Sequence, residues 1–135
     1  MGDIKKVYLT WEDVNLLLDN LYQQVKGNVN LVTGIPRGGT LLAILFSHRF
    51  NIEYTRWPSN HYPEMLILDD IADSGNTLQQ WQEEFHVPKY GTLHFKDISI
   101  VEPDYFAKEI KEDYGWIVYP WENKNSKTIQ NYLDN

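Results

Sequence analysis

Cysteine is absent from the 135 residues. That removes a disulfide frame, a thiolate nucleophile and any zinc–sulfur centre, and it suits a reducing, cytoplasmic setting. Basic residues are also in short supply: 12 Lys and Arg stand against 19 Asp and Glu, for a formal net charge of −7. A nucleic-acid groove needs a basic stripe to displace counterions from phosphates, so no nucleic-acid partner is expected. No apolar run has membrane-spanning length, and the opening "MGDIKKVYLTWEDV" is too mixed and polar for a signal peptide, so no membrane association is expected either. Internal repeats and low-complexity segments are missing. His48, His86 and His94 lack metal-ligand spacing and read as ordinary helix and strand residues. The length suits a single domain covering 1–135.

What the chain does contain is an alternation of strand and helix signals. Thr10 and Asp13 resemble a capping pair, and Val14, Leu17, Leu18, Leu21, Tyr22 and Val25 follow at helical spacing, ended by Gly27 and Asn28. "VNLVTGI" (29–35) reads as a buried strand, and "LLAILFSHRF" (41–50) as a helix apolar nearly all round. "IEYTRW" (52–57) alternates like a strand, and "EMLILD" (64–69) is a second buried strand. Residues 70–76 are expected as a loop, before a helix "TLQQWQEEF" (77–85). "YGTLHF" and "ISIV" are further strands, "DYFAKEIKEDY" fits helix and strand equally, and "WIVYPW" (116–121) is strand-like up to Pro120. A short helical turn is expected around 129–133 in the polar tail. Aromatics make up 14% of the chain, with five Trp, and most are expected in the core. Two strand–loop–helix units in quick succession predict an α/β fold: a mostly parallel, twisted sheet flanked by helices. In such sheets ligands sit beyond the carboxyl ends of the strands, where the loops 34–39 and 70–76 both fall.

Those loops carry the chemistry. Ser74-Gly75-Asn76-Thr77 is a turn of small residues entering a helix, with unpaired N–H groups and a favourable dipole for a phosphate monoester. Alone, it reads more readily as a plain capped helix start. Asp69 and Asp70 change the weighting, because two adjacent carboxylates at a buried strand end repel each other and lose solvation. They can accept hydrogen bonds from vicinal sugar hydroxyls or hold a hard cation, and Mg²⁺ suits a pair of carboxylates supplemented by water and substrate oxygens. In "TGIPRGG" (33–39) the glycines allow close backbone approach and Arg37 can grip phosphate oxygens in bidentate fashion. The spacing is not that of a Walker-type loop, so a nucleotide triphosphatase is not expected. A ribose phosphate is the ligand these features share.

"LILDDIADSGNT" (66–77) resembles the phosphoribosyl-pyrophosphate signature of type I phosphoribosyltransferases, and "GIPRGG" resembles that family's pyrophosphate loop, in the family's order. "KVYLTWEDV" and "WIVYPWE" narrow the likeness to the xanthine/guanine branch, and the match covers most of residues 6–122. The resemblance implies a Rossmann-related fold with a core of about 1–96, a small C-terminal hood of about 97–122 and a polar tail, 123–135. It implies transfer of 5-phosphoribosyl from phosphoribosyl pyrophosphate to a 6-oxopurine, with Mg²⁺. Asp69 and Asp70 would bind the ribose hydroxyls, with Asp70 the one to contact Mg²⁺. Ile71 belongs to the same stretch, and Ala72, Asp73, Ser74, Gly75, Asn76 and Thr77 would wrap the 5′-phosphate. Arg37 and Gly38 would contact pyrophosphate, with an unusual peptide before Arg37. Asp73 would relay a proton at purine N7. Lys96 would bond the 6-oxo group, Trp116 would stack on the base, and the Ile117 backbone would hold its edge.

One departure from the family is plain. Only "RWPSNHYP" (56–63) stands where the family has a long closing loop, leaving Arg56 or His61 as substitute phosphate donors. A lidless relative that binds phosphoribosyl pyrophosphate or nucleotide without turnover is therefore the alternative. An aspartyl-nucleophile phosphatase lacks its D-x-D pattern here. A domain this small, so rich in aromatics, is also expected to pair with a copy of itself.

Overall fold

The structure, a computed structural model, describes residues 5–122; the turn expected around 129–133 lies outside them. The elements in chain order are β1 (Lys6–Tyr8), α1 (Trp11–Val25), β2 (Leu31–Gly34), α2 (Gly38–Phe50), β3 (Glu53–Tyr54), β4 (Met65–Ala72), α3 (Asn76–Glu84), β5 (Lys89–Lys96), β6 (Tyr105–Ile110) and β7 (Trp116–Val118). Five strands form one sheet in the order β3–β2–β4–β5–β6, every neighbouring pair parallel. β1 and β7 form a separate parallel pair. This is the α/β, mostly parallel architecture expected from the sequence.

Period-two alternation along β4 explains how the sheet is covered. Leu66 and Leu68 pack into a cluster with Val14, Leu18 and Leu21 of α1 and Leu42, Ala43 and Phe46 of α2. Met65 and Ile67 join a second cluster with Leu78 of α3, Tyr90 and Phe95. A central parallel strand buried on both faces reads as a continuous apolar run, as "MLIL" does. α1 is held at its start by a full capping box: the Thr10 Oγ1 accepts from the Asp13 N–H at 3.0 Å, and Asp13 Oδ2 accepts from the Thr10 N–H at 2.8 Å.

Several boundaries differ from the sequence reading. β3 is two residues, not 52–57. β4 continues through Ala72, so the loop expected over 70–76 shrinks to its second half: Asp69, Ile71 and Ala72 still pair with Thr92, His94 and Phe95 of β5. "ISIV" is a turn rather than a strand, because the Ser99 hydroxyl bonds the Val101 carbonyl at 2.7 Å and the Ile100 N–H goes to the Ser74 carbonyl at 2.9 Å. Ile98 and Ile100 are left exposed. The ambiguous "DYFAKEIKEDY" resolves into strand β6 and a 3-10 turn at Glu112–Tyr114. Of the 97–122 segment expected as a hood, β6 therefore lies in the main sheet and β7 in the small pair.

Candidate active site

The site begins where β2 stops before β4 does. Gly34 pairs with Leu68, the last rung between the two strands, and the Ile35 N–H closes on the Leu68 carbonyl at 2.8 Å. Beyond that rung the chain fills its own backbone needs with acids. The Asp69 carboxylate accepts from the Asp70 N–H at 2.9 Å, and the Asp70 carboxylate accepts from the Ile71 N–H at 2.8 Å. Burial pushes the Asp69 carboxyl well above the usual carboxylate range, and the neighbouring Asp70 charge pushes it further. Burial also raises Asp70, partly opposed by its hydrogen bonds.

The first loop folds against these acids. A Cβ on Gly38 would stand 2.5 Å from Asp70 Oδ2, and one on Gly39 would stand 2.2 Å from the Leu68 carbonyl oxygen. Glycine at 39 is thus a requirement of close approach to the strand backbone, while glycine at 38 lets the loop lie against the Asp70 carboxylate. The Pro36–Arg37 peptide is cis, in keeping with the unusual geometry expected there. Arg37 caps α2, is exposed, and makes no ion pair among the described residues. Gly38 meeting Asp70 puts the two sequence motifs at one crevice.

The strand end then turns into α3. Gly75 adopts a left-handed φ of 89°, and its bare Cα faces Ser99, where a Cβ would come within 2.5 Å of the hydroxyl. The Ser74 hydroxyl accepts from the Asn76 N–H at 3.2 Å. Among the described residues no partner meets the Thr77 or Leu78 N–H, and the Thr77 hydroxyl is buried without one. These are free donors at a helix start. Asp73 and Lys96 form an ion pair at 2.9 Å, with the Lys96 side chain only 13% exposed.

The structure thus brings together Arg37, Gly38, Asp69 and Asp70 on one side, and Asp73, Lys96 and the 74–77 turn beside them. Trp116 and Ile117 are less directly engaged. Trp116 is half-buried at the start of β7 and Ile117 is buried in the first cluster; among the described residues no hydrogen bond or ring contact joins the Trp116 side chain to Asp73 or Lys96. What links β7 to the acids is Tyr119, whose role the sequence did not disclose. Its hydroxyl donates to the Asp70 carbonyl at 3.2 Å and lies 2.9 Å from His94 Nδ1. With Tyr119 donating to Asp70, His94 must carry its proton on Nδ1 to satisfy the same oxygen. Burial, reinforced by the Lys108 charge, pulls the His94 imidazole down to about 4, so the ring is neutral near pH 7. Its strand position was legible, but its bonding was not.

A cavity of about 530 Å³ opens beside the first loop, between Gly34, Pro36 and Thr40, Tyr54 at the end of β3, Arg56 and Trp57 just beyond it, and Trp81 of α3. Among the described residues, no group of three or more metal-ligating side chains occurs, and no helix is long and apolar enough to cross a membrane.

The five-stranded parallel sheet, with a glycine-rich loop and an acidic strand end at its carboxyl edge, resembles the fold of solved purine phosphoribosyltransferases. The chain matches known structures of that kind along almost its whole length. A purine phosphoribosyltransferase from Pyrococcus horikoshii superposes with a TM-score of 0.74 at 26% identity, covering 92% of this chain and 99% of that one. A xanthine-guanine-hypoxanthine phosphoribosyltransferase from Helicobacter pylori gives 0.72 at 22% identity, covering 87% and 94%. In sequence, the chain has homologues among xanthine-guanine phosphoribosyltransferases: that of Idiomarina loihiensis is 23% identical over 87% of this chain and 88% of its own. No protein-family model matches the chain.

Proposed function

We propose that this protein is a purine phosphoribosyltransferase, a pentosyl-group glycosyltransferase of purine salvage. It transfers 5-phosphoribosyl from phosphoribosyl pyrophosphate to a 6-oxopurine (xanthine, guanine or hypoxanthine), giving the nucleoside monophosphate and pyrophosphate. The observation that carries this reading is the contact of Gly38 with the Asp70 carboxylate, which joins the loop for the departing diphosphate to the acids for the sugar. A cytoplasmic setting accompanies it, and pairing with a second copy through the exposed apolar side chains is part of the same proposal.

In this reading Asp69 and Asp70 accept the ribose hydroxyls, and Ile71, Ala72 and Asp73 lead the chain into the phosphate turn. The Ser74, Gly75, Asn76 and Thr77 segment, with its unpartnered donors, holds the 5′-phosphate. Two adjacent half-buried carboxylates whose protons are hard to remove are a donor set that a hard cation relieves, so Mg²⁺ fits, with Asp70 as its protein ligand and the remaining positions left to substrate and water. Bound there, Mg²⁺ would offset charge on the diphosphate as it leaves. Arg37 and the Gly38 amide stabilise the same charge from the other side. Asp73 takes the proton at purine N7, and its ion pair with Lys96 at 2.9 Å orients both groups toward the base. Lys96 donates to the 6-oxo oxygen, Trp116 stacks on the base, and the Ile117 backbone meets its edge.

Incubation with Mg²⁺, phosphoribosyl pyrophosphate and each of the three bases should release pyrophosphate and form the nucleotide. No product with any base would sink the proposal. A second reading, a binder without turnover, is favoured by one observation. The short 55–64 connection is tied to the far end of α3, where Asn60 donates to the Glu84 carbonyl at 2.9 Å and accepts from the Val87 N–H at 3.1 Å. Mg²⁺-dependent binding of phosphoribosyl pyrophosphate with no product would select that reading.

A further inference from the structure

Asp70 sits where the sheet loses its regular pairing. β2 pairs with β4 only as far as Gly34–Leu68, and the β4–β5 ladder passes from Asp69–Thr92 to Ile71–His94 without a rung at Asp70. The β5–β6 ladder skips the same level, passing from Thr92–Phe106 to His94–Lys108. Across this level the two faces exchange: Leu66 and Leu68 share a cluster with Ile71, while Met65 and Ile67 share theirs with Ala72. Strict alternation would keep Ala72 with Leu66. Backbone groups at such a change of phase fall outside the ladder and need other partners. At Asp70 the N–H goes to the Asp69 carboxylate at 2.9 Å, and the carbonyl accepts from the Tyr119 hydroxyl at 3.2 Å. Both partners are side chains. The Tyr119 ring is buried, stacked on Trp121 at 4.8 Å and 6°, and its own N–H donates to Glu122 Oε1 at 2.9 Å. His94 Nδ1 lies 2.9 Å from the hydroxyl. A hydroxyl that accepts from His94 keeps its own proton for the Asp70 carbonyl.

Building on the proposed function, we infer that Tyr119 is a positioning residue for the sugar and metal end of the site. Its hydroxyl, steered by His94, takes the place of the missing rung at Asp70 and holds the Asp70 carboxylate against Gly38. Tyr119 acts through Asp70 and not on the substrate. It directly follows β7, so one side chain ties the strand that carries Trp116 and Ile117 to the acids. Loss of the hydroxyl therefore costs affinity for phosphoribosyl pyrophosphate and leaves the rate of the bound complex nearly intact.

The test compares Tyr119→Phe with wild type by amide hydrogen exchange of the full chain, and by steady-state kinetics with Mg²⁺, phosphoribosyl pyrophosphate and guanine, xanthine or hypoxanthine. Phenylalanine keeps the ring on Trp121 and removes only the hydroxyl. Exchange at the Asp70 and Ile71 N–H groups should quicken by about fivefold or more, the weight of one hydrogen bond, beyond any change at Leu66 and Ile67, which report the sheet as a whole. KM for phosphoribosyl pyrophosphate should rise by a similar factor, with kcat within about twofold. His94→Asn, whose amide nitrogen can donate from the Nδ1 position, should resemble wild type, whereas His94→Leu should resemble Tyr119→Phe. That pair reads the same contact if Tyr119→Phe does not fold. Unchanged exchange at Asp70 and Ile71 would overturn the inference, as would equal quickening along β4, a fall in kcat with KM unchanged, or no difference between the two His94 variants. Selective quickening in a chain that makes no nucleotide with any base would uphold the positioning at Asp70 and remove the proposed reaction instead.

Discussion

At the scale of single residues, the contrast between Asp73 and the Asp69–Asp70 pair is one of environment. Asp73 has a cation at 2.9 Å, whereas Asp69 and Asp70 have each other and a raised affinity for protons. In the proposed reaction the Asp73 carboxylate, held beside Lys96, is the acceptor placed at purine N7. Asp73→Asn keeps the shape and removes that capacity. We expect turnover to fall about 100-fold or more, the usual weight of general-base catalysis, with phosphoribosyl pyrophosphate binding changed only a few-fold; equal losses in both would remove the proton-relay role. Arg37→Ala belongs to this scale too. It should weaken ligands that carry a diphosphate and spare the monophosphate product, which competition binding would read directly.

At the scale of elements, adjacent glycines make different demands because they meet different atoms. A methyl on Gly39 meets the Leu68 carbonyl, a backbone atom in the central strand, at 2.2 Å. That strand is paired on both sides and cannot give way, so Gly39→Ala should cost roughly 1–3 kcal/mol or more, as overpacking does, visible as a lowered denaturation midpoint. A methyl on Gly38 meets the end of the Asp70 side chain, which can rotate. Gly38→Ala should therefore leave stability within about 1 kcal/mol and instead displace Asp70, seen as weaker Mg²⁺-dependent binding of phosphoribosyl pyrophosphate. The reverse pattern in these two variants would contradict the packing described.

The same scale shows what the sequence could disclose. The acidic strand end, the phosphate turn and the glycine loop are local patterns, and their chemistry is written in consecutive residues. Their convergence also followed from topology, since two successive strand–loop–helix units place both loops at one sheet edge. The extent of β4 beyond Asp69 was not legible, because Asp70 looks like a loop residue until the two carboxylates are seen accepting from the next N–H groups of the strand. "ISIV" has the composition of a strand, yet its Ile100 N–H is taken by Ser74. The Tyr119–His94 and Tyr119–Asp70 bonds join residues 25 and 49 positions apart, beyond the reach of any spacing rule.

For the whole molecule, His94 sets the acid limb of stability. Its proton affinity in the folded chain is depressed to about 4 from an ordinary 6.5. Above pH 6.5 the ring is neutral whether the chain is folded or not, and there is no penalty. As pH falls from 6.5 toward 4 the unfolded chain gains the proton first, and stability drops by about 3 kcal/mol over the window. Asp69 and Asp70, raised in the folded state, act with the opposite sign: stability falls as pH rises through their range. Comparing wild type with His94→Gln isolates the imidazole. Denaturant titrations should show the variant gaining on wild type by that amount between pH 6.5 and 4, and a constant difference across the window would refute the assignment.

The Asn60 tether has a thermal consequence. Ligand binding that orders a long segment buries surface in the segment as well as on the ligand, and the heat capacity drops by more than the contact alone explains. With residues 55–64 already anchored to Glu84 and Val87, saturation with a diphosphate ligand should change the heat capacity only by the small amount due to the ligand's own contact area. The enthalpy of association should then vary little between cold and warm titrations.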